Sequence, residues 1–261
     1  MGELDSQDDV LRELLQEQAV PPNLSTKVVP SDQPIETKPK APKTPGVYRA
    51  VRAVGILKPQ FQPQAKERFF ADRLEVVGTA FWLKDYRVLI TCAHVVNGLV
   101  GAPIEVTGLL VVGNTGNYRR AVISAIDVIH DLAILNLVDE SGGAVEQEAA
   151  EGLSLVSEYP TVGTEVGYAG FPMGTYLMDS THAPTYAVGV IGAQLRQEPN
   201  RKEVQITGSV AGGLRGGPVV LRSTPEKVIG VLAHSPSREA KEFFRAISWE
   251  HVRALAELAI S

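Results

Sequence analysis

The sequence predicts an all-β domain, a barrel or a sandwich, that ends in an α-helix. Two observations carry this expectation. Beyond Gly46 the chain divides into short runs rich in β-branched and aliphatic residues, such as LEVVGTAFWL, RVLIT, LAILNL, EVQIT and KVIGVLAH, with turn residues between them. Short strands at such close spacing build barrels and sandwiches. After Ser248 the period changes: WEHVRALAELAI sets Val252, Leu255 and Leu258 at helical spacing behind a serine that can cap the first turn.

In chain order, SQDDVLRELLQEQA (residues 6–19) puts Val10, Leu11, Leu14 and Leu15 on one helical face, with Ser6 as N-cap and Asp8 and Asp9 in the first turn. Pro21 and Pro22 end that helix. Pro30, Pro34, Pro39 and Pro42 follow among Lys, Ser and Thr, a composition that favours an extended tether over a packed core. Residues 1–46 therefore read as an amphipathic helix and a Pro/Lys-rich linker. Two roles stay open for the leucine face: packing back on its own domain, or docking into the groove of a partner protein. VYRAVRAVGIL then reads as the first strand of the β domain, which takes residues 47–261 and closes with a helix over 248–260.

With 261 residues the chain is long enough for one two-barrel domain or two small domains, and 44% hydrophobic against 21% charged residues places it in the globular class. A net charge of -5 gives no general attraction to phosphate backbones or anionic lipid, so nucleic acid and membrane surfaces are not expected partners. No run is long and apolar enough to span a bilayer. Cys92 is the only cysteine, and the acidic opening MGELDSQDDV lacks the pattern of a secretory signal. The expectation is a cytoplasmic protein.

The stretch GTAFWLKDYRVLITCAHVV (Gly78 to Val96) resembles the segment of trypsin-like serine proteases, the Deg or HtrA-like branch above all, in which a strand ends in Thr-x-Ala-His-Val-Val. HDLAILNL (His130 to Leu137) resembles the Asp-Leu-Ala-x-Leu signature of the same family, VGYAGFPMG (Val166 to Gly174) its glycine and proline turn entering the second barrel, and AVGVIGA (Ala187 to Ala193) the strand before the nucleophile loop. GGLRGGPVV (residues 212–220) resembles that loop itself. The order His, Asp, nucleophile loop is that of the chymotrypsin fold. The resemblance covers about residues 47–247. It implies a double six-stranded Greek-key β-barrel, with a first barrel at about 47–140 and a second at about 155–247.

It also implies a general base at His94, an orienting carboxylate at Asp131, and an oxyanion loop through Gly213, Leu214 and Gly216. The nucleophile position falls on Arg215, where the family has serine. A guanidinium has no lone pair with which to attack a carbonyl and keeps its proton at all usable pH. Leu214 departs from the pattern as well, standing for Asn or Asp. The expectation is a degenerate site: a pseudoprotease that binds or assembles with protein or extended peptide. The alternative is a serine endopeptidase in which residue 215 is a variant of the catalytic serine.

By the same resemblance VIGVLAHSP supplies the peptide-binding strand, with Leu232, Ala233 and His234 nearest the peptide. Arg215 either reaches an acidic group on that peptide or folds onto Asp131 and plugs the cleft. No cofactor is expected, and the histidines show no zinc-site spacing. Cys92, two residues before His94, reads as a small core residue on the same strand.

Overall fold

The computed structural model describes residues 46–57, 74–97, 109–113, 117–139, 141–145, 152–172, 183–198, 201–208, 213–233 and 243–260. The expected N-terminal helix, with Val10, Leu11, Leu14 and Leu15, its tether, and His234 lie outside the described residues.

Six antiparallel strands form the first barrel: β1 (Val51–Leu57), β2 (Leu74–Leu83), β3 (Val88–Thr91), β4 (Leu109–Val112), β5 (Tyr118–Asp127) and β6 (Leu132–Val138). They follow the order β1-β2-β3-β6-β5-β4, and β1 pairs with β4 to close the ring. The short β3 is buried along its whole length and sits between Phe81 and Trp82 on one side and Ile134 and Leu135 on the other. Val88, Leu89 and Ile90 are apolar on both faces because one face fills the barrel and the other is covered by neighbouring structure. Burying each such aliphatic side chain stabilises the fold by about 1.5–3 kcal/mol.

The second barrel contains β8 (Glu165–Gly170), β9 (Thr185–Glu198), β10 (Arg201–Thr207), β11 (Pro218–Leu221), β12 (Lys227–Leu232) and β13 (Phe243–Ser248). Its order is β11-β8-β9-β10-β13-β12, and pairing of β11 with β12 closes it. A two-residue strand, β7 (Ser154–Leu155), adds in parallel to β12. The architecture is the expected double barrel. Its buried residues form one continuous hydrophobic cluster that includes Phe81, Ile134, Tyr168, Phe171 and Phe244.

The start of the domain differs from the expectation of a continuous strand. Val47–Ala50 form a single helical turn, α1, before β1 begins. Arg49 N–H donates to the Gly46 carbonyl (3.1 Å), and the turn drives Val47 and Ala50 into the core together. Three-residue spacing of buried positions suits a turn and is out of phase with a strand.

The closing helix, α3 (Trp249–Ile260), starts as expected: the Ser248 hydroxyl accepts the Glu250 N–H at 3.3 Å. Trp249, Val252, Leu255 and Ala256 are buried, and Arg253 stacks on the Trp249 ring at 4.4 Å. Leu258, expected to continue the apolar stripe, is 71% exposed. Helical spacing predicts that Leu258 shares a face with Leu255, but the cover given by the strands ends before it. α3 touches β12 and β13 of the second barrel and also β5 and β6 of the first, so it braces both halves. A single short turn of helix, α2 (Ala93–Val96), follows β3 and leads to the site.

Candidate active site

β3 ends at Thr91, and Cys92 leaves it in an extended conformation to open α2. Val95 N–H donates to the Cys92 carbonyl (3.2 Å), while Ala93, Val95 and Val96 are buried. Three inward residues leave His94 facing outward. Cys92 and His94 therefore do not share a strand, contrary to the sequence reading: the turn that buries the two valines rotates His94 to the surface, with 38% of its side chain exposed.

Asp131 stands at the end of the turn that joins β5 to β6, with φ at +57°. Left-handed backbone costs most side chains about 1–2 kcal/mol, and aspartate is among the few that tolerate it. The turn is held from below. Asp127 accepts both the backbone N–H of His130 (3.0 Å) and its imidazole Nδ1 (2.6 Å). Burial opposes the charge on Asp127, but these His130 contacts prevail and keep its carboxyl below the usual range. His251 of α3 stacks on the His130 ring with centroids 3.9 Å apart.

The Asp131 carboxylate accepts the backbone N–H of His94 (2.8 Å) and lies 2.8 and 3.0 Å from its Nδ1. An ionised carboxylate only accepts, so Nδ1 carries a proton, and in the neutral ring that leaves the lone pair on Nε2, the nitrogen not bound to Asp131. This is the base-and-orienter half of a triad.

The third position lies on the loop from Gly213 to Pro218. Thr79 of β2, fully buried, anchors it at two points: its N–H donates to the Arg215 carbonyl (2.8 Å) and its hydroxyl donates to the Gly213 carbonyl (2.7 Å). The same hydroxyl accepts Phe171 N–H (3.1 Å), and the Thr79 carbonyl accepts the Thr91 hydroxyl (2.7 Å). On the far side Gly216 N–H donates to the Leu232 carbonyl (2.8 Å) and Leu232 N–H to the Gly217 carbonyl (2.9 Å). Gly213 and Gly216 have φ of +93° and +84°, and a Cβ on Gly216 would stand 2.1 Å from the Thr79 carbonyl oxygen. Only glycine fits there.

With this geometry established, the comparisons are specific. The family of the trypsin-like peptidase domain matches residues 78–231. The chain belongs to the trypsin-like peptidase family. No curated protein matches it. Among solved structures, the Rv3671c protease of M. tuberculosis in its active form is 19% identical, with 81% of each chain covered and a TM-score of 0.57. AlgW, an HtrA-type protease solved with a tripeptide, is 17% identical over 83% of this chain and 63% of that one, with a TM-score of 0.59. The same protease with a decapeptide gives 19% identity, 83% and 66% coverage, and a TM-score of 0.55. At such identities the likeness speaks for the fold alone.

In this trypsin-like domain Arg215 is exposed, and among the described residues its guanidinium has no carboxylate or carbonyl partner. It does not fold onto Asp131 as an ion pair; that carboxylate is engaged by His94. Leu214, which departs from the family pattern, is 3% exposed and packs close to Gly170. Its role is to fill the core beneath the loop.

Two of the three expected peptide-binding residues, Leu232 and Ala233, are described. Both are fully buried. The Leu232 N–H and carbonyl are spent on the nucleophile loop, and Ala233 N–H donates to Arg245 (2.9 Å). These backbone groups at the end of β12 therefore support the nucleophile loop and β13.

The ligand atoms of Cys92, His94 and Asp131 lie within 4.8 Å of one another. Metal binding would need the thiolate, yet burial first, and then the Asp131 carboxylate, push the Cys92 thiol well up. Its Sγ instead contacts the Leu232 carbonyl at 3.3 Å. Thr79 and Thr91 are the site residues that the sequence reading missed; their signal was a lone hydroxyl within otherwise apolar strand residues.

Proposed function

We propose that this trypsin-like domain is a pseudoprotease, retained to bind protein or extended peptide and not to cleave it. One observation carries the reading: the loop that should present a serine presents Arg215, while His94, Asp131 and the loop's supports are in place. Removing the nucleophile removes the acyl transfer and leaves a shaped cleft. The tripeptide and decapeptide held by the HtrA-type neighbour AlgW support peptide as the ligand class. The leucine face of residues 6–19 is a second contact for a partner protein in this proposal, and the single buried thiol suits a reducing cytoplasm. Among the described residues, no helix is long and apolar enough to cross a membrane.

The test is hydrolysis of casein by the parent chain, by Arg215→Ser, and by Arg215→Ser with His94→Ala. A silent parent beside an Arg215→Ser variant whose activity vanishes in the double variant supports the reading. Cleavage by the parent that His94→Ala removes would make the domain a working endopeptidase and overturn it. Loss of a co-purifying protein on deletion of residues 1–20 checks the docking contact.

A further inference from the structure

Three features of the loop around Arg215 bear on what it can bind. First, among the described residues, no acceptor takes the backbone N–H of Gly213, Leu214 or Arg215, although the carbonyls of the same three residues are bonded to Thr79 and Gly217. Successive backbone N–H groups beside left-handed glycines are the kind of loop that can cradle an anion. Second, the Arg215 guanidinium on that loop is exposed and has no acidic partner among the described residues. Third, the loop passes directly against α2: a Cβ on Gly216 would lie 3.1 Å from the Cys92 nitrogen, two residues before the exposed His94.

We infer that the degenerate site is a receptor for a peptide carboxylate, and specifically for the free C-terminus of an extended chain. The inference rests on the peptide-binding reading above and names the group that is recognised. A scissile amide has one uncharged carbonyl oxygen, so it must share that single atom between the N–H groups and the guanidinium and forms no ion pair with the latter. A terminal carboxylate has two oxygens, one for the N–H groups and one for Arg215, and each bond is charge-assisted. The arrangement inverts the preference of an endopeptidase: with serine at 215 the site is built for a carbonyl within a chain, and with arginine it is matched to the end of one. No bond is made or broken.

Fluorescence anisotropy with the full chain tests this, using N-terminally fluorescein-labelled random hexapeptides in three forms: free acid, C-terminal amide, and amide with one internal glutamate. The expected result is binding of the free acid at least ~10-fold tighter than that of either amide form, with the difference erased by Arg215→Gln. Arg215 is exposed, so this variant should keep the parent's circular dichroism. Equal binding of acid and plain amide would overturn the carboxylate inference and leave the peptide-binding reading standing. Equal binding of the acid and the glutamate form would move recognition to an acidic side chain and overturn the C-terminal assignment. An acid preference that survives in Arg215→Gln would overturn the role of Arg215. Binding of none of the three would remove both the inference and the reading beneath it.

Discussion

The carboxylate of Asp131 holds His94 twice, through the backbone N–H at 2.8 Å and through imidazole Nδ1 at 2.8 Å. The first contact fixes the chain and the second fixes the ring. Asp131→Ala loses both contacts and places alanine at a φ of +57°; it is expected to destabilise the fold by about 2–4 kcal/mol in urea unfolding. Asp131→Asn keeps an acceptor for the backbone and tolerates the same φ, so it should cost clearly less. Equal losses for the two variants would contradict this account.

Thr79 serves the nucleophile loop with a single hydroxyl. Thr79→Val removes the donor to the Gly213 carbonyl and the acceptor for Phe171 N–H at nearly constant volume. The expected loss is about 2–4 kcal/mol, with faster amide exchange at Phe171, because a buried N–H and a half-buried carbonyl lose their partner. Thr79→Ser should recover most of it. An exchange rate at Phe171 that is unchanged in Thr79→Val would argue against the bridge.

Cys92 should be inert in the folded protein. Burial raises its thiol well above the ordinary range, and no part of the residue is exposed. Iodoacetamide at pH 8 is expected to label it only in denaturant. Stoichiometric labelling within minutes under native conditions would show that the β3–α2 junction opens.

His251 is pulled down to about 4 from an ordinary 6.5, by burial first and by His130 second, with Asp127 and Glu250 opposing. Its Nε2 accepts Lys202 N–H at 2.9 Å, a bond that only the neutral ring can make. A depressed histidine is neutral when folded and protonates first when unfolded. Its contribution is therefore fully present above pH 6.5 and is lost as the pH falls towards about 4. With partial solvent screening the loss should be on the order of 1–2 kcal/mol. His251→Gln retains an acceptor for Lys202 and should flatten this part of the stability profile. A profile identical to the parent's would place the titration elsewhere.

The barrels were legible because their strands are short, apolar and separated by turn residues, and because the motifs around His94, Asp131 and Arg215 occur in family order. Local geometry was less so. The rotation of His94 away from Cys92 depends on Val95 and Val96 seeking the core, and a strand and a turn bury such residues equally well on paper. The exposure of Leu258 depends on where the covering strands stop, which helical spacing does not encode. Thr79 and Thr91 act only through loops and strands far away in sequence, so their hydroxyls give no local sign of what they hold. The fate of Leu232 was hidden for the same reason, since its amide is taken by a loop that folds over it.

The stack of His251 on His130 also bears on the order in which the molecule is completed. The six strands of the first barrel can pair among themselves while the chain is still emerging during synthesis. Part of the cover on the turn that presents Asp131 comes from α3, which is made after every strand of both barrels. Until then the His130 ring lacks the His251 face that stacks on it. Assembly of the cleft is thus a late event, coupled to the docking of the closing helix across the two halves.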